Sequence, residues 1–172
     1  KAMQFAMYES SYLAGYAAAA YSTTKTIGTY GGVDVPPVTD FMDGYYYGAK
    51  AYEAETAEEI TVVGWDAETG NGDFIGGFEA NSATSKTIAA GLVEAGADVL
   101  FPVGGDQFAA ASQALTDAGV DNGVLVGVDL DVAATSPQYA PFILTSAEKG
   151  LSVATFDIMF GEGISKEGSL ID

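Results

Sequence analysis

The sequence predicts an α/β domain whose core is a doubly wound parallel sheet. Short, continuously apolar segments alternate along the chain with longer segments whose apolar residues recur at helical spacing. Strands of a parallel sheet have this continuous apolar character because helices cover both of its faces. Many of the 22 glycines directly follow the apolar segments, where the turns of such a fold lie.

The first half of the chain begins with a predicted alanine-rich helix, after which predicted strands and helices alternate. The pair Pro36-Pro37 can only precede a helix, so we expect Thr39 or Asp40 to be the N-cap of the second helix. A loop rich in Gly, Asn and Asp follows the second strand, and a loop of this length is usually functional or disordered. The predicted elements are helix 7–22, strand 25–30, helix 40–54, strand 60–65 and loop 66–82.

The second half continues the alternation. Its apolar segments include DVLFPV and GVLVGV, and both are typical of buried parallel strands. Gly96 and Gly119 come directly after helical segments and are expected to end them. The predicted elements are helix 85–95, strand 98–103, helix 108–118, strand 123–128, strand 141–146 and helix 149–160.

The composition excludes several classes of function. The chain has 24 acidic residues and six lysines, with no arginine or histidine, and its net charge of −18 repels nucleic acids and anionic membrane surfaces. Without histidine or cysteine it can form no Ser-His-Asp triad, no thiol nucleophile and no common zinc site. We therefore predict a binding protein, not an enzyme, with no cofactor and no metal ion.

Carboxylates and glycines follow the predicted strands. In an open parallel sheet, ligands bind in the crevice at the carboxyl ends of the strands. An ionised carboxylate there can accept two hydrogen bonds from a vicinal diol, such as an edge of a ribose or hexose. Each aspartate can instead be a helix cap or a turn residue. The residues at these ends are Gly31, Gly32, Asp34, Trp65, Asp66, Gly104, Gly105, Asp106, Asp129, Asp131, Ser146 and Lys149.

Three motifs near these ends narrow the ligand class. Neither Gly-Gly pair extends to GxGxxG or GxxxxGK[ST], and no arginine is present to neutralise a phosphate, so a neutral or cationic ligand is favoured. The segment DLD at 129–131 lacks the glycine and distant glutamate of an EF-hand. Phe74 and Phe78 lie on the long loop, where a phenylalanine can either stack on a flat ligand or anchor the loop to the core.

Taken in order, several segments resemble the basic membrane protein family, the substrate-binding lipoproteins of ABC transporters that include purine-nucleoside binders. The segments are TKTIGTYGGVDVPPVTDFMDG, GADVLFPVGG, VGVDLD and ILTSAEKGLSVATFDIM, and the resemblance runs from Tyr8 to about Met159. It implies a type I periplasmic-binding (Venus-flytrap) fold that closes on a nucleoside. Most of the chain would be the second lobe, 25–135, with a crossing helix in 1–24 and a returning strand and helix in 136–172.

The resemblance also implies roles for residues in the matched motifs. Phe78 would stack on the purine, Gly104 and Asp129 would bind the ribose hydroxyls, and Lys149 would add a hydrogen bond. Asp34, in GGVDVP, is a further candidate contact. The family implies a partner permease and a lipid anchor outside this segment, at the extracellular face of the membrane or in the periplasm.

Three other functions remain open from the sequence. One is a sensory ligand-binding module of the same fold, and another is a sugar-binding receptor. The third is a nucleoside hydrolase that uses carboxylates. We also expect this segment to bind a nucleoside poorly by itself, because the implied cleft takes contacts from two lobes.

Overall fold

The computed structural model describes residues 5–160, which contain a five-stranded parallel sheet and a separate two-stranded hairpin. The strands are β1 (Thr26–Gly31), β2 (Thr61–Val63), β3 (Trp65–Asp66), β4 (Asn71–Gly72), β5 (Val99–Val103), β6 (Val124–Asp129) and β7 (Ile143–Glu148). The helices are α1 (Met7–Tyr21), α2 (Pro36–Thr56), α3 (Ala83–Glu94), α4 (Phe108–Asp117), α5 (Val132–Thr135) and α6 (Leu151–Phe160).

The order of strands in the sheet is β2-β1-β5-β6-β7, and every pair is parallel. The central strands β1 and β5 are almost entirely buried, as their continuous apolar sequence predicts. Because all strands point the same way, the residues that follow them lie along one edge of the sheet.

Helices cover both faces of this sheet. On one face, the Phe101 ring of β5 lies 5.0 Å from the Tyr45 ring of α2. On the other face, the hydroxyl groups of Tyr30 in β1 and Ser85 in α3 are 3.1 Å apart. Tyr30 pairs with Pro102, so these two side chains lie on the same face of the sheet. Phe101 is adjacent to Pro102 in β5 and therefore lies on the opposite face, because adjacent residues of a strand point to opposite faces. The doubly wound arrangement predicted from the sequence is therefore present.

Several element boundaries differ from the prediction, including those of α2, β2 and β7. Helix α2 begins at Pro36, not at 40, and Val35 caps it without a side-chain bond, since proline suits a first turn that needs no N–H. Strand β2 ends at Val63 because Gly64, with a φ of 84°, turns the chain into the β3–β4 hairpin inside the predicted loop. Strand β7 starts two residues later than predicted, after a 3-10 turn at Ala140–Phe142.

The segments predicted to cross between lobes pack on this same body. Helix α1 packs along α2, and strand β7 is an edge strand that pairs with β6. The predicted return to a first lobe after residue 136 thus begins with a strand of the present sheet, and the return itself stays a prediction. Among residues 5–160, no helix combines the length and the apolar character that a membrane crossing requires.

A buried carboxylate joins the end of α1 to the start of β5. Asp98 is fully buried and accepts hydrogen bonds from Ser22 Oγ (2.5 Å), Thr23 N (2.7 Å), Thr23 Oγ1 (2.9 Å) and Thr24 N (3.1 Å). Burial acts to raise the pKa of Asp98, but these hydrogen bonds to the ionised form outweigh it and hold the pKa below its ordinary value. The contact fixes the amino-terminal edge of the sheet, opposite the edge where ligands are expected.

Candidate functional site

The carboxyl ends of β5, β6 and β7 bring three of the predicted site residues to one edge, where the loop residue Phe78 joins them. Gly32 follows β1, and its backbone N–H donates to the Val103 carbonyl at the end of β5 (2.7 Å). Gly104 follows β5, Asp129 ends β6 and Lys149 follows β7. Phe78 reaches the same edge from the loop after the β3–β4 hairpin.

The ring of Phe78 rests on a surface formed by two glycines, Gly32 and Gly104, which we call the glycine shelf. A Cβ at Gly32 would lie 2.6 Å from the Phe78 ring, so any side chain there would displace the ring. A Cβ at Gly104 would lie 2.9 Å from the Gly32 backbone and 3.7 Å from the ring. Phe78 is 55% exposed, so the ring keeps a large open surface on the side away from the shelf.

The loop that carries Phe78 is bound to the end of β1 by its backbone. The N–H groups of Ile75 and Gly77 donate to the carbonyls of Gly31 and Gly32, both at 3.0 Å. Phe74 packs edge-on against Trp65, with ring centroids 5.9 Å apart, and is partly buried. Of the two loop aromatics, Phe74 is therefore the anchor and Phe78 is the exposed ring.

Asp129 and Lys149 form an ion pair beside this platform. The Lys149 Nζ lies 2.6 Å from Asp129 Oδ1 and 5.1 Å from the centre of the Phe41 ring. The backbone N–H of Lys149 also donates to the backbone carbonyl of Asp129 (2.9 Å), so both the backbone and the side chains hold the two residues together. Asp129 has a φ of 69°, a strained conformation for a residue other than glycine and one that clusters at functional sites.

Asp129 lies between two concave surfaces. The larger is a cleft of about 800 Å³ that both members of the ion pair line, together with Pro36, Asp40 and Leu151. The smaller, of about 280 Å³, lies toward the β5–α4 turn. The Asp129 side chain is 37% exposed and that of Lys149 only 20%, so the carboxylate is the more accessible of the two groups.

The other aspartates at strand ends have different roles. Asp34 is exposed, and within residues 5–160 its side chain makes no hydrogen bond or ion pair. Asp66 accepts from Thr69 Oγ1 and from the Glu68 N–H, and these bonds hold its pKa below the ordinary value, as expected for a turn residue. Asp131 caps α5 through the Ala134 N–H (3.2 Å). The cap-or-turn alternative thus describes Asp66 and Asp131, and Asp34 stays a prediction.

Sequence reasoning missed one residue of this edge, Gln107. It is 1% exposed, and its Nε2 donates to the carbonyls of Glu79 (3.0 Å) and Gly104 (3.1 Å). A glutamine after a Gly-Gly-Asp turn is usually exposed, so nothing in the sequence distinguishes it from Gln113, which is exposed on the same helix.

The fold of the chain is similar to that of a solved solute-binding protein. Over 95% of its length it superposes on a solute-binding protein of an ABC transporter system from Aeropyrum pernix, with a TM-score of 0.74 and 22% identity, and it covers 43% of that chain. The parallel sheet with its two helical layers is that of a type I periplasmic binding protein. The predicted fold class is therefore confirmed.

Sequence comparison then gives the family. A profile of the Bmp family, described as ABC transporter substrate-binding protein PnrA-like, matches residues 1–159, so the chain belongs to this family. The resemblance to basic membrane proteins predicted from the motifs is confirmed, and the family is one of substrate-binding proteins, not of enzymes.

Two relatives show how much of a family member the chain represents. It is 36% identical over 101 residues to the ABC transporter nucleoside-binding protein BmpA of Lactococcus lactis, a match that covers 59% of the chain and 25% of that protein. It is 30% identical over 135 residues to an uncharacterized lipoprotein of Pyrococcus horikoshii, covering 77% of the chain and 30% of that protein. The chain thus spans less than half the length of these relatives.

Proposed function

We propose that this chain forms one wall of a nucleoside-binding cleft in an extracellular substrate-binding protein of an ABC importer. The observation that carries the proposal is the exposed Phe78 ring, seated on the glycine shelf at the same sheet edge as Asp129 and Lys149. The name of the Lactococcus lactis relative, a nucleoside-binding protein, supports the same ligand class.

Each group at this edge suits one part of a nucleoside. The open face of Phe78 can stack on a flat base, and such stacking contributes about 1–3 kcal/mol per base in proteins that bind single-stranded nucleic acid. The Asp129 carboxylate can accept hydrogen bonds from the two ribose hydroxyls, while the Gly104 backbone allows close approach. Lys149 can donate to the sugar and balances the charge of Asp129, which favours an uncharged solute over a phosphorylated one.

Transport would follow from closure of two lobes around the ligand. A ligand that contacts both lobes stabilises the closed state by its differential affinity, and a permease then recognises that state. The second lobe would come from the remainder of the protein, since the match covers only 25% of the Lactococcus lactis protein and 43% of the Aeropyrum pernix chain. The relative from Pyrococcus horikoshii is a lipoprotein, which supports attachment to the outer face of the membrane through a lipid anchor.

The direct test is to identify what the full-length protein binds. Mass spectrometry of ligand released from protein purified without refolding should detect a purine nucleoside. Isothermal titration with inosine and guanosine should then show binding that Phe78→Ala and Asp129→Ala weaken. Tyr47→Ala is a matched control, because this exposed tyrosine lies on α2, outside the site.

The same experiment separates the alternatives. Release of a sugar, with no effect of added nucleoside, would contradict the proposal and favour a sugar receptor that uses Asp129 alone. Free base formed from inosine during incubation would indicate a hydrolase. A transmembrane or kinase segment elsewhere in the same gene product would indicate a sensory module.

A further inference from the structure

Residues 78–81 carry the exposed ring but have few contacts of their own. The backbone bonds to β1 stop at Gly77, and the next helix, α3, begins at Ala83. Within residues 5–160, one side-chain bond ties residues 78–81 to the rest of the protein, from Gln107 Nε2 to the Glu79 carbonyl at 3.0 Å. The position of the Phe78 ring therefore depends on this bond.

Gln107 bonds the loop and the glycine shelf with the same amide group. Its Nε2 has two hydrogens, and they are directed to the carbonyl of Glu79, next to Phe78, and to the carbonyl of Gly104, in the shelf. The backbone of Gln107 is itself fixed, because its N–H donates to Gly105 and its carbonyl accepts from Ala111 in α4. One amide thus sets the distance between the ring and the surface on which it rests.

The other end of the same side chain shows that stability alone does not explain a glutamine here. Gln107 Oε1 is buried and has no hydrogen-bond partner among the described residues. A buried acceptor without a partner is unfavourable, so this half of the amide does not stabilise the fold. What an apolar side chain cannot do is hold both carbonyls.

We propose that Gln107 is a positioning residue for the ligand platform: its amide holds the Phe78 ring on the glycine shelf in the orientation that a base requires. The inference rests on the proposed function for its effect on ligand affinity. It does not depend on that function for its effect on the loop, and the two effects can be measured separately.

The first measurement is local hydrogen exchange in the ligand-free protein. Gln107→Met keeps the length of the side chain and removes both hydrogen bonds. The amides of Ile75 and Gly77, which adjoin Phe78 and are protected by their bonds to Gly31 and Gly32, should then exchange about tenfold faster, as expected when a bond that limits local opening is lost. The melting temperature should change little. Gln113→Met makes the same chemical change on the exposed side of α4 and should leave exchange of the Ile75 and Gly77 amides unaltered.

The second measurement is a double-mutant cycle with inosine in the full-length protein. Gln107→Met should weaken binding about tenfold when Phe78 is present and less than about twofold in a Phe78→Ala background, because a residue that acts through Phe78 loses its effect with the ring. A loss of equal size in both backgrounds would overturn the inference, as would unchanged exchange of the Ile75 and Gly77 amides. A large fall in melting temperature would also overturn it, since the amide would then be a general stabilising group. If the wild-type protein binds no nucleoside, the proposed function fails while the exchange result still decides whether Gln107 holds the loop.

Discussion

Replacing Asp98 with asparagine tests the buried carboxylate that joins α1 to β5. The ionised side chain accepts hydrogen bonds from Ser22, Thr23 and Thr24, four in all. In asparagine the one remaining oxygen can keep the three bonds from Thr23 and Thr24 as neutral bonds, and the Ser22 hydroxyl must then accept from the new amide group. A hydrogen bond to a charged group contributes about 1.5–3 kcal/mol and a neutral one about 0.5–1.5 kcal/mol, so the change costs about 4 kcal/mol. The easier burial of a neutral amide offsets part of this, and we expect Asp98→Asn to lower the free energy of unfolding by about 2–3 kcal/mol.

Urea unfolding followed by circular dichroism measures this change, and a thermal scan should show a melting temperature lower by roughly 4–12 °C. Asp121→Asn is the matched control, because Asp121 is exposed in the turn before β6 and accepts no side-chain bond within the described residues. A change of less than about 0.5 kcal/mol in Asp98→Asn, within the usual range for surface substitutions, would refute the reasoning.

The pH dependence of stability gives an independent check on the same group. The pKa of Asp98 is lower in the folded state than in the unfolded chain, so the unfolded chain binds more protons as the solution becomes acidic. Its contribution to stability is therefore complete above the ordinary aspartate pKa of about 4 and is lost as the pH falls through the lower folded value. Asp98→Asn should unfold with a shallower dependence on pH below about 4, and an unchanged acid limb would contradict the assignment.

Three further predictions concern the ligand edge and the hairpin. Gly32→Ala places a Cβ 2.6 Å from the Phe78 ring and should displace it, so inosine affinity should fall at least ~10-fold, as expected when a base loses its stacking partner. An unchanged inosine affinity in isothermal titration would contradict the role of the glycine shelf. Lys149→Met breaks the 2.6 Å ion pair and leaves Asp129 uncompensated, so neutral ligands should bind more weakly while melting temperature changes little, as measured by titration and a thermal scan. Asp43→Ala removes the acceptor that lies 2.9 Å from the Trp65 indole nitrogen, and we expect the β3–β4 hairpin to loosen. The fluorescence emission of Trp65, the single tryptophan, should therefore shift to longer wavelength, and an unchanged emission maximum would contradict this role of Asp43.

The sequence was sufficient to predict the order along the chain of the five strands of the parallel sheet and of the five longer helices, because each apolar segment is both short and continuous. It did not predict the β3–β4 hairpin or the short helix α5. It was also sufficient to place Gly104, Asp129 and Lys149 at one edge, since that follows from parallel strands alone. The predicted start of α2 was wrong by four residues, because a helix that begins with two prolines needs no side-chain cap. Gly64 was not recognised as a turn because its positive φ is a property of the fold and not of the local sequence.

The details of the site depend on contacts that no local pattern encodes. Phe74 and Phe78 lie four residues apart in similar sequence, and only packing against Trp65 makes the first an anchor and leaves the second exposed. The burial of Gln107 arises in the same way, from a carbonyl contributed by Glu79, 28 positions earlier in the chain. The sequence therefore predicts a list of candidate residues, whereas contacts between residues distant in the sequence determine the geometry of the site.

The pairing of Asp129 with Lys149 has an electrical consequence for a protein of such high negative charge. The salt bridge balances the charge of Asp129, while Asp40 leaves the cleft negative, like the chain as a whole with its net charge of −18. Because an uncharged solute has no net charge, its affinity should vary little with ionic strength, whereas the negative surface would repel anions. Discrimination against phosphorylated compounds would then come from the whole surface instead of from any single contact.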